Sequence, residues 1–178
     1  MNVKAYFDIE LDGKDIGRID FELFGKEAPK SVNNFLAFCS GDYNPYMRYK
    51  GSHFHGVHEQ RFISGGDFVK GDGTGTATVY NDENLGKTME AEVNKRAKFD
   101  EPYLLALSAN MEGHTGCQFF ITLDTLPALN GTNHTIIGRL FKGLDTVKHI
   151  EGLQEYRSKD DNIVQRSIQK VPSAITGG

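Results

Sequence analysis

The sequence has no tryptophan, few prolines and only two cysteines among its 178 residues. Cys39 and Cys117 form no Cys-x-x-Cys pattern, which argues against a disulfide framework or zinc ribbon and makes a reducing compartment the expected setting. Nowhere do about eighteen apolar residues run together, so no membrane-spanning helix is expected. The stretch Met1 to Asp15 lacks the basic and apolar regions of a secretory signal. The expectation is a soluble, intracellular protein, cytoplasmic by default and without membrane contact. Positive charge is not in excess: 20 Lys and Arg face 24 Asp and Glu, for a net charge of −4. The basic residues are scattered, which excludes the electrostatic footprint of a nucleic-acid binder.

What is present describes an ordinary globular chain, 38% hydrophobic and 25% charged, with 20 glycines for tight turns. One domain is expected over residues 1–171, followed by a small polar tail, 172–178, that frays. No internal repeat occurs. Val3, Ala5, Phe7, Ile9 and Leu11 alternate with polar residues, Asp12-Gly13 supplies a turn, and Ile19, Phe21 and Leu23 alternate again. That pattern predicts an antiparallel hairpin. Pro29 suits a first helical turn, and Val32, Phe35, Leu36 and Cys39 recur at helical spacing until Gly41. Short apolar runs at Leu104–Leu107, Phe119–Leu123 and Thr135–Leu140 predict strands, and Asp145 to Ile150 a second helix. Many strands with two short helices suggest a mainly β, closed antiparallel barrel.

The most specific segment is YKGSHFHGVHEQRFISGGDF, Tyr49 to Phe68. Together with Phe7–Phe35, Ser108–Leu123 and Ala128–Leu140, it resembles the cyclophilin family of peptidyl-prolyl cis-trans isomerases, with the blocks in the same order and spacing. The resemblance covers nearly the whole chain and implies an eight-stranded antiparallel β-barrel capped by two α-helices. It implies binding of proline-containing peptides or proteins and no cofactor. The family donates a hydrogen bond to the prolyl nitrogen from an Arg directly after the block's His; here His55 is followed by Gly56. Arg61 and Phe62 stand at the family's apolar pair, and Ser64 replaces its Gln.

Rotation about an X-Pro bond has a barrier of about 18–20 kcal/mol, and a donor to the pyramidal nitrogen acts mainly in the transition state. Losing such a donor costs about 10²–10³ in rate. The resemblance therefore implies weak or absent isomerase activity, with His55, Arg61 and Gln118 as the remaining catalytic positions. It places peptide contacts at Phe62, Ser64, Ala109, Asn110, Met111, Phe120, Leu129 and His134, the backbones of Ala109 and Asn110 meeting the substrate. Met111 stands where the family has a small residue. Ala128 takes the place of a loop Trp, which implies weak or no cyclosporin binding. The long side chain of Arg61 allows a rescue, its guanidinium reaching the place of the missing donor.

Two other readings follow from the residues themselves. His53, His55 and His58 form H-x-H-x-x-H, whose imidazoles suit Zn, Cu or Ni, although one matches a pocket position that needs no metal and hydrogen-bonded histidines are the commoner outcome. No metal is assigned. The segment Gly41 to Gly51 carries Tyr43, Tyr46, Met47 and Tyr49 around Asn44-Pro45, a composition found in contact surfaces. It would serve self-association or a protein partner unless the rings fold back on the barrel. Gly71 to Asn84 lacks the Lys-Ser/Thr of a phosphate loop, so its glycines supply turns. The charged stretch Glu90 to Glu101 reads as solvated surface.

Overall fold

The computed structural model describes residues 2–11 and 13–153 in full and the backbone of 173–176. Strand β1 (Val3–Leu11) pairs with β2 (Lys14–Leu23) in antiparallel register, Ala5 opposite Phe21 and Phe7 opposite Ile19. The alternation seen in the sequence is the inward face: Ala5, Phe7, Ile9, Ile19, Phe21 and Leu23 are all buried. Asp12 lies outside the described residues, but Leu11 pairs with Lys14 and Gly13 takes a φ of 81°, the left-handed conformation such a turn needs.

Helix α1 (Pro29–Ser40) starts on its proline and ends where Gly41, at φ 72°, donates its N–H to the Ala37 carbonyl. Its buried apolar stripe is Val32, Phe35, Phe38 and Cys39; Leu36 is only half-buried. Its first turn has no side-chain cap of its own. The Glu92 carboxylate, distant in sequence, accepts from the N–H groups of Lys30 and Ser31 at 3.3 and 2.9 Å. Glu92 is therefore a helix cap rather than a solvated charge.

The remaining elements are β3 (Gly56–His58), β4 (Phe62–Gly65), β5 (Met89–Glu90), β6 (Leu104–Ala109), β7 (His114–Thr122), β8 (Thr135–Lys142), α2 (Leu144–Gly152) and β9 (Ser173–Thr176). All paired strands are antiparallel, in the order β3-β4-β7-β6-β8-β2-β1-β9, with β5 joined to β7. The described residues are thus mainly β with two α-helices, as expected, but their sheet has nine strands and curls as a half-barrel whose path runs from β3 to β9. The backbone of Ser173–Thr176, in the stretch expected to fray, lies along β1. The boundary between 171 and 172 is outside the described residues.

Two apolar clusters lie on opposite faces of these strands. Leu105, Leu107, Phe119, Ile121 and Ile137 join the main core with Phe7, Phe35, Phe38, Tyr49 and Phe54. Leu104, Ala106, Phe120 and Ile136 join a second cluster with Phe99. Successive residues of a strand point to opposite faces, so strands buried on both sides read as continuous apolar runs in the sequence. Loops cover the second face: Leu126 N–H donates to the Phe99 carbonyl (2.9 Å), Phe99 N–H to Asn130 Oδ1 (2.8 Å), and Asn94 Nδ2 to the Ile136 carbonyl (3.0 Å).

Within Gly41–Gly51 the residues divide. Met47 and Tyr49 are core, and the Tyr49 hydroxyl donates to the Cys117 carbonyl at 2.7 Å. Tyr43 and Tyr46 stand exposed. Burial pushes the Cys39 and Cys117 thiols up, Cys117 to about 12, so both remain protonated and inert near neutrality. No helix of the described residues is long and apolar enough to cross a membrane.

Candidate active site

The second face carries most of the residues singled out from the sequence. In the ladder β3-β4-β7, Gly56 lies opposite Ser64 and His58 opposite Phe62; Ser64 and Phe62 in turn lie opposite Phe120 and Thr122. Alternation puts Gly56, His58, Phe62, Ser64 and Phe120 on one face. Phe120 is almost fully buried and forms the floor. Its ring contacts Phe62 at 5.8 Å, His134 at 5.3 Å and Phe99, stacked, at 6.0 Å between centroids. Leu129, in a 3₁₀ turn (Pro127–Leu129) beside Ala128, packs against the same cluster.

Sequence reasoning missed Phe99 because it stands outside any strand pattern, in the charged stretch that loop hydrogen bonds fold over the floor. Arg61 sits in the β3–β4 turn, where its N–H donates to the His58 carbonyl and its carbonyl accepts from Leu123. Its side chain is exposed, and the guanidinium carbon lies 5.8 Å from the centre of the Phe62 ring.

A second group gathers around Gln118 on β7. Both amide hydrogens of Gln118 are used, donated to the carbonyls of Gly73 and Gly75 at 2.8 and 2.6 Å. Those glycines are held from the other side, because Asp67 accepts from the N–H groups of Gly73 and Gly75 and of Val69 and Lys70. Burial pushes the Asp67 carboxyl up, but the amides of Lys70, Gly75, Gly73 and Gly71 outweigh it and hold it below its ordinary value. The Gly65-Gly66-Asp67 motif is equally constrained: a Cβ on Gly66, at φ 92°, would lie 2.6 Å from the Cys117 carbonyl oxygen.

His55 lies against this loop, its ring 3.1 Å from where a Cβ on Gly73 would be. Its Nδ1 is buried without a hydrogen-bond partner among the described residues. Burial lowers the His55 pKa, against the opposing pull of Asp67 and Asp72. His55 thus faces Gly73 and His58 faces Phe62. Among the described residues no group of three His, Cys, Asp or Glu could hold a metal ion.

The β6–β7 turn uses its own backbone. Ala109 N–H donates to His134 Nδ1 at 2.9 Å, Asn110 N–H to the His114 carbonyl at 2.8 Å, and Gly113 N–H to the Asn110 carbonyl at 3.0 Å. Backbone contacts to a ligand at Ala109 and Asn110 therefore fall to their carbonyl oxygens. Met111 is fully exposed at the tip. Ala109, Asn110 and Gln118 line a cleft of about 300 Å³ with Gly73, Gly75 and Thr88. Leu129 and His134 line a separate one of about 190 Å³. Burial lowers the His134 pKa and favours the neutral ring that accepts from Ala109.

Among the described residues, the curled antiparallel sheet and two helices, with an aromatic floor edged by His, Gln and backbone carbonyls, define a β-barrel-like fold. The family model for cyclophilin type peptidyl-prolyl cis-trans isomerase matches residues 6–171, and the chain belongs to that family. A cyclophilin-type peptidyl-prolyl cis-trans isomerase of Cryptosporidium parvum is similar over 100% of this chain and 99% of its own, at 27% identity and a TM-score of 0.81. A second crystal structure of that protein, in the presence of the dipeptide Ala-Pro, matches at 28% identity and a TM-score of 0.79, over 98% and 99% of the two chains.

Proposed function

We propose that the protein binds X-Pro segments of peptides or proteins on the Phe62–Phe120 face and isomerises them slowly or not at all. The observation that carries this reading is Gly56. It occupies the family's arginine position on the face that bears Phe120, and has no side chain to donate. The proline ring would rest on Phe120 between Phe62, Leu129 and His134, with Ser64, Ala109, Asn110 and Gln118 along its flank. His55 braces the Gly73 loop, and Met111, exposed at the tip of the β6–β7 turn, would meet the peptide from the rim. The Ala-Pro dipeptide accompanying the Cryptosporidium protein supports this choice of ligand. Cyclosporin is expected to bind weakly, because Ala128 offers no indole.

Arg61 favours a second reading, in which its guanidinium, already at the Phe62 ring, swings over the floor and restores catalysis. The exposed Tyr43 and Tyr46 favour a contact surface for a protein partner or a second copy, although Met47 and Tyr49 are committed to the core.

Magnetisation-exchange NMR on Ala-Pro peptides tests the central reading. The native chain should be slow and Gly56→Arg faster by about 10²–10³, the effect of one preorganised donor. Native turnover at the level of the variant would refute the reading, and its loss in Arg61→Ala would assign the chemistry to Arg61.

A further inference from the structure

Basic residues that are scattered in the sequence are gathered at one place by the fold. Arg48, Lys50 and Lys70 line an open cleft of about 460 Å³ together with His53 and Tyr46, and Tyr46 is 90% exposed. Local structure turns these side chains outward. Met47 and Tyr49 are buried, the Tyr49 N–H donates to the Phe38 carbonyl at 2.9 Å, and its hydroxyl donates to the Cys117 carbonyl. With alternate residues drawn into the core, Tyr46, Arg48 and Lys50 are left exposed on one run of chain. The second run is held by Asp67, whose carboxylate accepts from the Val69 and Lys70 N–H groups and whose carbonyl accepts from Gly71. Lys70 is exposed on it. The Tyr49 and Phe68 rings, with centroids 6.0 Å apart, join the two runs, so the walls are set by core packing before any partner arrives.

The charge of this cleft has no answer within the described residues. Their ion pairs are Arg18–Asp8, Lys87–Glu83 and Arg139–Glu22, and none includes a cation of the cleft. Asp67, the carboxylate of the lining, is buried, and both its oxygens are taken by backbone N–H groups, Val69 and Lys70 on one, Gly73 and Gly75 on the other. Asp72, next along the chain, accepts from Thr74 instead. The chain as a whole carries −4, so this positive charge is a local feature that attracts negative charge. Arg and Tyr together are enriched in protein contacts, where the ring covers apolar stems and the cations meet carboxylates. A long polyanion suits the cleft less well, because the net negative charge of the chain repels whatever runs past it.

We propose that this cleft docks an acidic segment of a partner protein, with Asp or Glu carboxylates on Arg48, Lys50 and Lys70 and an apolar neighbour on Tyr46. The proposal rests on the reading of Tyr46 as a contact surface and names the chemistry of the partner. It does not depend on X-Pro binding at the Phe120 floor. The two surfaces meet in one loop, which gives Lys70 to this cleft and the Gly73 and Gly75 carbonyls to Gln118.

The test is a ¹⁵N titration of the full chain with two proline-free peptides, one with Asp and Glu around a central Phe and its neutral counterpart with Asn and Gln. The acidic peptide should shift the amides of Tyr46, Arg48, Lys50, His53 and Lys70. Its affinity should fall several-fold between about 0.05 and about 0.3 M salt, because exposed charges are screened. It should fall about tenfold in the triple variant Arg48→Gln, Lys50→Gln, Lys70→Gln, which removes three exposed pairs. An unchanged spectrum away from the cleft shows that this variant is folded. Equal binding of the neutral peptide at these residues overturns the acidic partner and leaves the contact surface standing. Inorganic phosphate that displaces the acidic peptide at equal concentration overturns it as well, reducing the cleft to a general anion site. No shift at these residues with either peptide overturns the proposal; sedimentation then decides the wider reading. A dimer that Tyr46→Ala dissociates makes the occupant a second copy, and a monomer removes the contact surface too.

Discussion

His134 shows how much one residue can control. Its Nδ1 accepts from the Ala109 amide, so protonation there would set two donors against each other. Burial keeps its pKa below the ordinary 6.5, and His55 is displaced in the same direction by burial. A histidine of lowered pKa binds fewer protons folded than unfolded. Its contribution to stability is therefore intact above the unfolded value and declines as pH falls from about 6.5 toward the folded values. We expect denaturant midpoints to fall through that window, and the Ala109 amide resonance to shift with the titration of His134. In His134→Gln the Ala109 titration should vanish; a titration that persists would place its origin elsewhere. That Gly56 follows His55 was legible from sequence alone, because it is read at one position in a fixed motif. His58 read from sequence only as one histidine of H-x-H-x-x-H, and that its ring lies on Phe62 is a cross-strand contact that no local pattern shows.

Elements that depend on local chemistry were the most readable. The β1–β2 hairpin, α1 between Pro29 and Gly41, and α2 follow from period, proline and glycine. The helix face was legible only in part: helical spacing admits both Leu36 and Phe38, and the tertiary partners Tyr49 and Phe68, at 5.8 and 5.0 Å from the Phe38 ring, select Phe38. Nor could local chemistry reveal the cap, because Glu92 arrives from 61 residues away. The carboxylate meets two N–H groups and the positive end of the helix, contacts of the kind that contribute about 0.5–2 kcal/mol. We expect Glu92→Ala to lower unfolding free energy by about 1 kcal/mol in a urea melt, and Glu92→Gln, which keeps an acceptor, by less. No loss in Glu92→Ala would show that the cap contributes nothing.

Across the molecule, the main core and the proposed site lie on opposite faces of the same strands. Phe7, Phe35, Tyr49, Phe54 and Phe119 interlock in the main core with ring centroids 5.3–5.9 Å apart, and none depends on position 56. With that separation, the packing of the main core does not rest on the residue at position 56. The architecture was legible because its apolar runs are buried on both faces. The count of nine strands was not, because β5 is a two-residue pairing and β9 lies in a stretch with a tail's composition.

The most direct test of the whole account is a ¹⁵N-labelled titration of the native chain with an Ala-Pro peptide, recorded together with the peptide's own cis-trans exchange. The account predicts shifts concentrated at Phe62, Ser64, Phe120, Leu129 and His134, with exchange that Gly56→Arg accelerates. Shifts confined to the Tyr43–Tyr46 surface, or none on the Phe120 face at saturating peptide, would contradict it.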